Sequence, residues 1–309
     1  MPQFTKEIKR RIKSVSNTKK ITKAMEMISA AKMRKSVDAT LSSRFYARSA
    51  WEVLTRLAAS NAEITHPLLI SRPVKKIGIL LITSDRGLCG SYNALIIKKT
   101  IEFLRDLKKM GRLVNVEFIC VGKKGAEVIK KIGEKVVAVF AGLKDRPGLR
   151  DVKPISEFIL NEYRDAKYDQ ILASYTDYFS LIKQNAKIKQ LLPISEIDLE
   201  SFIGDLDTGY SKKSVSPEFK SSEYILEPNE QGLLNEILPK FVEMQIYQMI
   251  LESKASENSA RMMAMRSATD AASDMISELV LLYNKARQGG ITQEIAEIAG
   301  GRAALEQIF

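Results

Sequence analysis

Glycine and proline are missing from long stretches at both ends of this chain. Neither occurs between Gln3 and His66 or between Lys240 and Gln288, whereas residues 67–239 hold most of both types. The absence of turn formers excludes compact, loop-rich ends and predicts two long helices around a turn-rich middle. At about 1.5 Å per residue, a helix over 3–66 would reach roughly 95 Å and one over 240–288 roughly 75 Å. No compact domain is that wide. A lone helix in water draws little stability from propensity, so these helices need each other or a partner.

Other shortages narrow the chemistry. His66 is the only histidine and precedes Pro67, which argues against most histidine catalysis and zinc ligation. Cys89 and Cys120 are too few for a disulfide framework and lack metal spacing, so they read as buried thiols in a reducing compartment. No stretch has the length and apolarity of a membrane span, and the first residues lack the apolar run of a signal peptide. No nucleophile with a base, paired-carboxylate acid and base, or metal cluster stands out. The sequence therefore predicts no catalytic residue, no metal site and no cofactor.

Charge is abundant but uneven. Of the formal net +11, residues 3–35 carry +9, from eleven Lys/Arg and two Glu. A charge run of this kind is usually a solvated helix face, and the functional readings are nucleic acid, an anionic membrane surface or an acidic protein partner. Aromatic residues and glycine are absent between Thr5 and Arg44, which ranks an acidic partner above nucleic acid.

Phe4, Ile8, Ile12, Val15, Met25, Ile28, Val37 and Leu41 recur mostly at helical steps, broken at Thr18-Lys19-Lys20. This is an amphipathic helix without a strict heptad. Val242, Ile246, Met249, Ile276, Leu279, Tyr283 and Ala286 follow the same period, and Ser253–Ser273 between them is rich in Ala, Ser, Met and Asn. Small residues suit close helix approach, so the two ends are expected to form an antiparallel coiled coil with weak, variable supercoiling. Met25, Met27, Met33, Met262, Met263 and Met265 read as seam filler, with an adaptable sliding contact as the alternative.

The middle alternates apolar strand-length runs (77–82, 116–121, 136–140, 171–173) with helical segments (94–110, 126–132, 155–163). Strands apolar on both faces between helices predict a doubly wound, mostly parallel sheet. Residues 179–183 and 224–226 could add edge strands, and 200–222 reads as a mobile polar loop. The expected domains are 1–66, 67–228 and 229–309.

The most site-like segment is the turn Thr83-Ser84-Asp85-Arg86-Gly87-Leu88-Cys89-Gly90-Ser91 after the first strand. Phosphates often bind at that place in doubly wound folds. Gly-Leu-Cys-Gly matches neither dinucleotide nor Walker spacing, and an Asp85–Arg86 charge pair that fixes the loop, or presents a protein-contact surface, is the preferred reading. Further on, Gly289-Gly290 is expected to interrupt the last helix at about 2 kcal/mol relative to alanines. Residues 291–309 beyond it carry few charges and many small apolar side chains, which suggests a protein sleeve.

Three motifs together resemble one family. They are Lys20-Ile21-Thr22-Lys23-Ala24-Met25-Glu26-Met27 with Ala31–Ser36; Ser84–Gly90; and Leu282–Gln288 followed by Ile291-Thr292-Gln293-Glu294. In order and over nearly the whole chain, they resemble the gamma subunit of F-type ATP synthases. The resemblance implies a non-catalytic central rotor shaft. It would stand inside a ring of three alpha and three beta subunits, above an epsilon subunit and a c-ring driven by proton or sodium flow. It implies coupling contacts to alpha and beta at Lys23, Met25, Arg261, Arg287, Gln288, Thr292 and Glu294. Contacts to epsilon or the c-ring are implied at Asp85, Arg86, Cys89 and Tyr224. A bacterial complex on the cytoplasmic membrane face is expected, with no nucleic-acid partner. The competing classes are a nucleotide-dependent α/β enzyme and a basic helical nucleic-acid binder. Gly289-Gly290 replaces the Ala-Ser-like pair of the family, and the tail Gly300–Phe309 is also unusual.

Overall fold

The computed structural model describes residues 2–59, 66–109, 114–181, 183–194 and 230–306. The expected edge strand at 224–226, the loop at 200–222 and Tyr224 lie outside the described residues. The elements are α1 (Pro2–Ala59), β1 (Lys76–Ile82), α2 (Tyr92–Lys109), β2 (Asn115–Val121), α3 (Lys123–Lys131), β3 (Lys135–Phe140), α4 (Leu149–Arg164), β4 (Gln170–Tyr178), β5 (Gln184–Leu192) and α5 (Glu230–Glu306). Two compact units emerge, one of residues 1–29 with 261–309, the other of residues 30–260.

In the larger unit the strands order β3-β2-β1-β4-β5, with β1 to β4 parallel and β5 antiparallel at the edge. Central β1 is buried on both faces, which is why it reads as a continuous apolar run. Ile77, Ile79 and Leu81 point to one layer, where Ile96, Ile97 and Leu104 of α2 and Ala126 and Ile129 of α3 cover them. Leu80 and Ile82 point to the other, against Val152, Ile155 and Ile159 of α4 and Leu238, Val242 and Ile246 of α5. The edge strand is Gln184–Leu192, not 179–183. Ser180 and Lys183 close the β4–β5 hairpin there, the Ser180 N–H donating to Lys183 O at 3.0 Å.

From Gln248 to Ser259 every residue of α5 is buried, although most are polar. Part of the small-residue stretch expected on the coiled-coil seam is packed here on β4 instead. Ser253 Oγ accepts the Thr176 N–H at 3.3 Å, Ser256 Oγ donates to Thr176 O at 3.4 Å, and Ser259 Oγ donates to Leu181 O at 2.9 Å. Short hydroxyl side chains bring the helix close to the strand while satisfying its backbone. On α1, Lys32 pairs with Asp145 at 2.9 Å and Ser36 Oγ donates to Asp145 O at 3.3 Å.

The smaller unit pairs the start of α1 with the end of α5, and its seam is more regular than the apolar residues suggest. On α1, Thr5, Ile8, Ile12, Val15, Lys19, Thr22, Glu26 and Ser29 turn inward at alternating steps of three and four, with Ser16 and Met25 half-buried beside them. On α5, Met262, Met265, Thr269, Ala272, Ile276, Leu279, Tyr283, Ala286 and Gly290 show the same alternation, with Arg261, Ala264, Ala268 and Ser273 half-buried beside them. Thr22 and Ser29 keep the spacing with small polar side chains, and the polar break at Lys19 sits on the seam. Conversely Phe4 and Ile28, counted in the apolar stripe, are exposed.

The helix does not stop at Gly289-Gly290, and that expectation is also corrected. α5 runs through both glycines and through Gly300-Gly301 to Glu306. Glycine weakens a helix by backbone entropy without blocking its hydrogen bonds, so a long helix carries the pair.

Candidate functional site

The turn between β1 and α2 lies at the carboxyl edge of the sheet, beside the point where strand order reverses. Its principal contacts are with α3. The Lys123 N–H donates to Asp85 Oδ1 at 3.1 Å, the Lys124 N–H to Ser84 O at 3.1 Å, and the Gly125 N–H to Thr83 Oγ1 at 2.9 Å. Asp85 Oδ2 also accepts the Gly142 N–H at 2.9 Å, so one carboxylate ties together the loops after β1, β2 and β3. Two glycines make this approach possible. Gly122 has φ +91°, and a Cβ there would meet Thr83 O at 2.3 Å. At Gly125 a Cβ would stand 2.8 Å from Thr83 Oγ1.

A helix N-terminus of this kind is where doubly wound proteins receive phosphate. Here the first three N–H groups of α3 are filled by the chain's own carboxylate, carbonyl and hydroxyl. That geometry disfavours the nucleotide-enzyme reading at this edge. Asp85 fixes the loop through backbone N–H groups of neighbouring loops.

Inside the turn, Asn93 Nδ2 donates to Ser84 Oγ at 2.7 Å and to Cys89 Sγ at 3.2 Å, while the Ser84 N–H donates to Asn93 Oδ1 at 3.1 Å. Cys89 is buried and shapes the turn from within; Leu88, 64% exposed, forms its outward tip. Asp85 is half-buried and Arg86 exposed. Cys120, on β2, is also buried, and burial pushes its thiol up to about 12. A groove of about 530 Å³ between α2 and the sheet, bordered by Ile77, Phe103, Asp106 and Gln170, lies away from this turn.

In the coiled-coil unit, Lys23 is exposed and pairs with Glu26 at 3.0 Å, while Met25 and Arg261 are half-buried. Arg287, Gln288, Thr292 and Glu294 are exposed and bracket the glycine pair, with Thr292 Oγ1 donating to Gln288 O at 3.0 Å. Every residue from Ile291 to Arg302 is exposed, including Ile291, Ile295 and Ile298, which share one helix face.

The sequence reading missed Thr22 and Thr269. Thr269 Oγ1 approaches Thr22 Oγ1 at 2.8 Å across the seam, and both residues are buried. The signal available was the seven-residue spacing of Thr22, Ser29 and Ser36. It also missed Thr83, Ser84 and Asn93 as the frame of the turn, which only contact distances reveal.

A two-helix coiled coil joined to a doubly wound sheet, with its candidate phosphate position filled internally, defines a stalk-type structural subunit. Residues 4–305 match the family model described as ATP synthase. The ATP synthase gamma chain of Dehalococcoides mccartyi is 45% identical over 300 residues, covering 96% of this chain and 98% of the relative. That of Heliobacterium modesticaldum is 42% identical over 300 residues, covering 97% and 98%. The chain belongs to the ATP synthase gamma family, the non-catalytic central stalk subunits. A chain in the Euglena gracilis mitochondrial ATP synthase structure (OSCP/F1/c-ring, rotational state 3) shares the fold. It has a TM-score of 0.65 at 18% identity, covering 99% of this chain and 95% of that one. Among the described residues, no helix is long and apolar enough to cross a membrane.

Proposed function

We propose that this chain couples rotation of a c-ring to the catalytic cycle of a surrounding ring of three alpha and three beta subunits. The observation that carries the reading is the exposed end of α5. From Ile291 to Arg302 no inward position occurs, and three isoleucines face outward on one stripe. Apolar surface of that kind calls for a sleeve supplied by other subunits. The exposed cations of α1, including Lys23, suit acidic levers on that ring.

In this reading Lys23, Met25, Arg261, Arg287, Gln288, Thr292 and Glu294 touch the alpha and beta subunits. Asp85, Arg86 and Tyr224 face epsilon or the c-ring, with Leu88 as the apolar tip beside them and Cys89 holding the turn in shape. The working parts are residues 1–66 and 229–309 as shaft and 67–228 as foot. The complex sits on the cytoplasmic face of a bacterial membrane, and this subunit is peripheral, reaching the bilayer only through the c-ring. Ion flow of protons or sodium turns it; it binds no cofactor and no nucleic acid.

Reconstitution with alpha and beta subunits tests the reading. A stable complex with ATPase activity altered by this chain is expected. Failure to form a complex, with activity unchanged, overturns it.

A further inference from the structure

The geometry points to the Thr22–Thr269 hydroxyl pair as the element that sets the axial register of the two-helix shaft. Counting outward from that contact in antiparallel sense brings Glu26 opposite Met265, Ser29 opposite Met262, Lys19 opposite Ala272, Val15 opposite Ile276, Ile12 opposite Leu279 and Ile8 opposite Tyr283. Each of these positions is turned inward on its own helix. The same count places Ala286 opposite Thr5, so the glycine pair falls level with the start of α1, where two helices become one.

Inward burial alone does not select this register. Both helices repeat every seven residues, so a slip of one heptad, about 10 Å, again sets inward positions against inward positions. The apolar pairs are interchangeable as well: after such a slip Val15 meets Tyr283 and Ile8 meets Gly290. The threonines are not. Thr22 Oγ1 donates to Lys19 O at 3.0 Å and accepts from Thr269 Oγ1, which also lies 2.8 Å from Met265 O. Slipped one way, Thr22 would face Ile276 while Thr269 would face the hydroxyl of Ser29; slipped the other way, Thr22 would face Met262 and Thr269 would face Val15. Either slip takes the hydroxyl partner from Thr22, and the second takes it from Thr269 as well. Both threonines are buried, so water offers neither hydroxyl a ready substitute. A buried polar group on an a or d position is a recognised register device in coiled coils.

The consequence for coupling rests on the proposed function. Register decides how far α5 outruns α1. It also fixes the axial separation of the Lys23–Met25 band on α1 from the Arg287–Glu294 band on α5, because Lys23 lies level with Ala268. From that level to Arg287 is about 28 Å, and a heptad slip changes it by about 10 Å.

Cysteine pairs in the full chain report register directly. Val15→Cys with Ile276→Cys reads the observed register, and Ile8→Cys with Ile276→Cys reads the one-heptad slip that sets both threonines against apolar side chains. In the otherwise native chain the first pair should cross-link and the second should not. Adding Thr22→Val and Thr269→Val should raise the yield of the second pair relative to the first by roughly tenfold, the equivalent of one lost buried hydrogen bond. Thr22→Ser with Thr269→Ser, which keeps both hydroxyls, should restore the native ratio. An unchanged ratio in the valine variant with helicity retained would overturn the inference, as would a native chain that cross-links only through the slipped pair. A valine variant that unfolds would be judged by the serine variant, which must then fold in the native register. Because the readout is cross-linking in the chain itself, its outcome is independent of whether the chain couples ion flow to catalysis.

Discussion

Asp85 Oδ1 accepts the Lys123 N–H at 3.1 Å, placing a side-chain carboxylate at the N-terminus of α3. Its second oxygen accepts the Gly142 N–H at 2.9 Å, so the residue joins three loops at one sheet edge. Asp85→Ala should destabilise the larger unit by about 1–3 kcal/mol, since two N–H groups lose their acceptor. Asp85→Asn, which keeps one acceptor oxygen, should lie between. Denaturant unfolding measures the loss, and faster amide exchange at Lys123 and Gly142 localises it.

His66 is buried, and its Nδ1 accepts the Leu68 N–H at 3.1 Å. Burial, and then the Arg164 charge, lower its pKa from the usual 6.5. The folded state therefore binds this proton less readily than the unfolded chain. The sign follows: the contribution is complete above pH 6.5 and is lost as pH falls through the lowered folded value. His66→Asn keeps an acceptor but cannot titrate, so its stability should fall less steeply over that window. Equal slopes for both chains in urea melts at stepped pH would remove His66 from the explanation.

A methyl group placed on Gly289 would meet no atom within 4 Å, and this glycine does not adopt positive φ. Neither space nor backbone geometry within the chain requires glycine. Gly289→Ala with Gly290→Ala should stabilise this part of α5 by about 1 kcal/mol per site and slow amide exchange over 285–295 several-fold. Exchange at the wild-type rate would show that helix propensity does not limit opening at this point.

Cys120 sits on β2 with its thiol pushed up to about 12 by burial. At pH 8 roughly one thiol in ten thousand is ionised, so the native chain should resist alkylation at this position. Iodoacetamide labelling read by mass spectrometry should find Cys120 unmodified until denaturant is added. Fast native labelling would mean that β2 opens readily.

Composition and short-range period were enough to establish the helices at the two ends and the alternation that makes the sheet doubly wound, whereas the family was legible only through the resemblance of three motifs. Ile77–Ile82 can be read as a buried strand without knowing its neighbours, and glycine-free ends as helices without knowing their partner. Which residues face the seam emerged only from the folded chain. Ile28 is more apolar than Ser29 yet is exposed, because a coiled coil admits residues by angular position and lets small polar groups stand where backbones approach. The roles of Asp85 at α3 and of Thr22 against Thr269 were equally hidden, since those contacts join residues far apart in the chain. Local sequence sets what an element is, whereas its register and contacts are settled only when distant side chains compete for the same space.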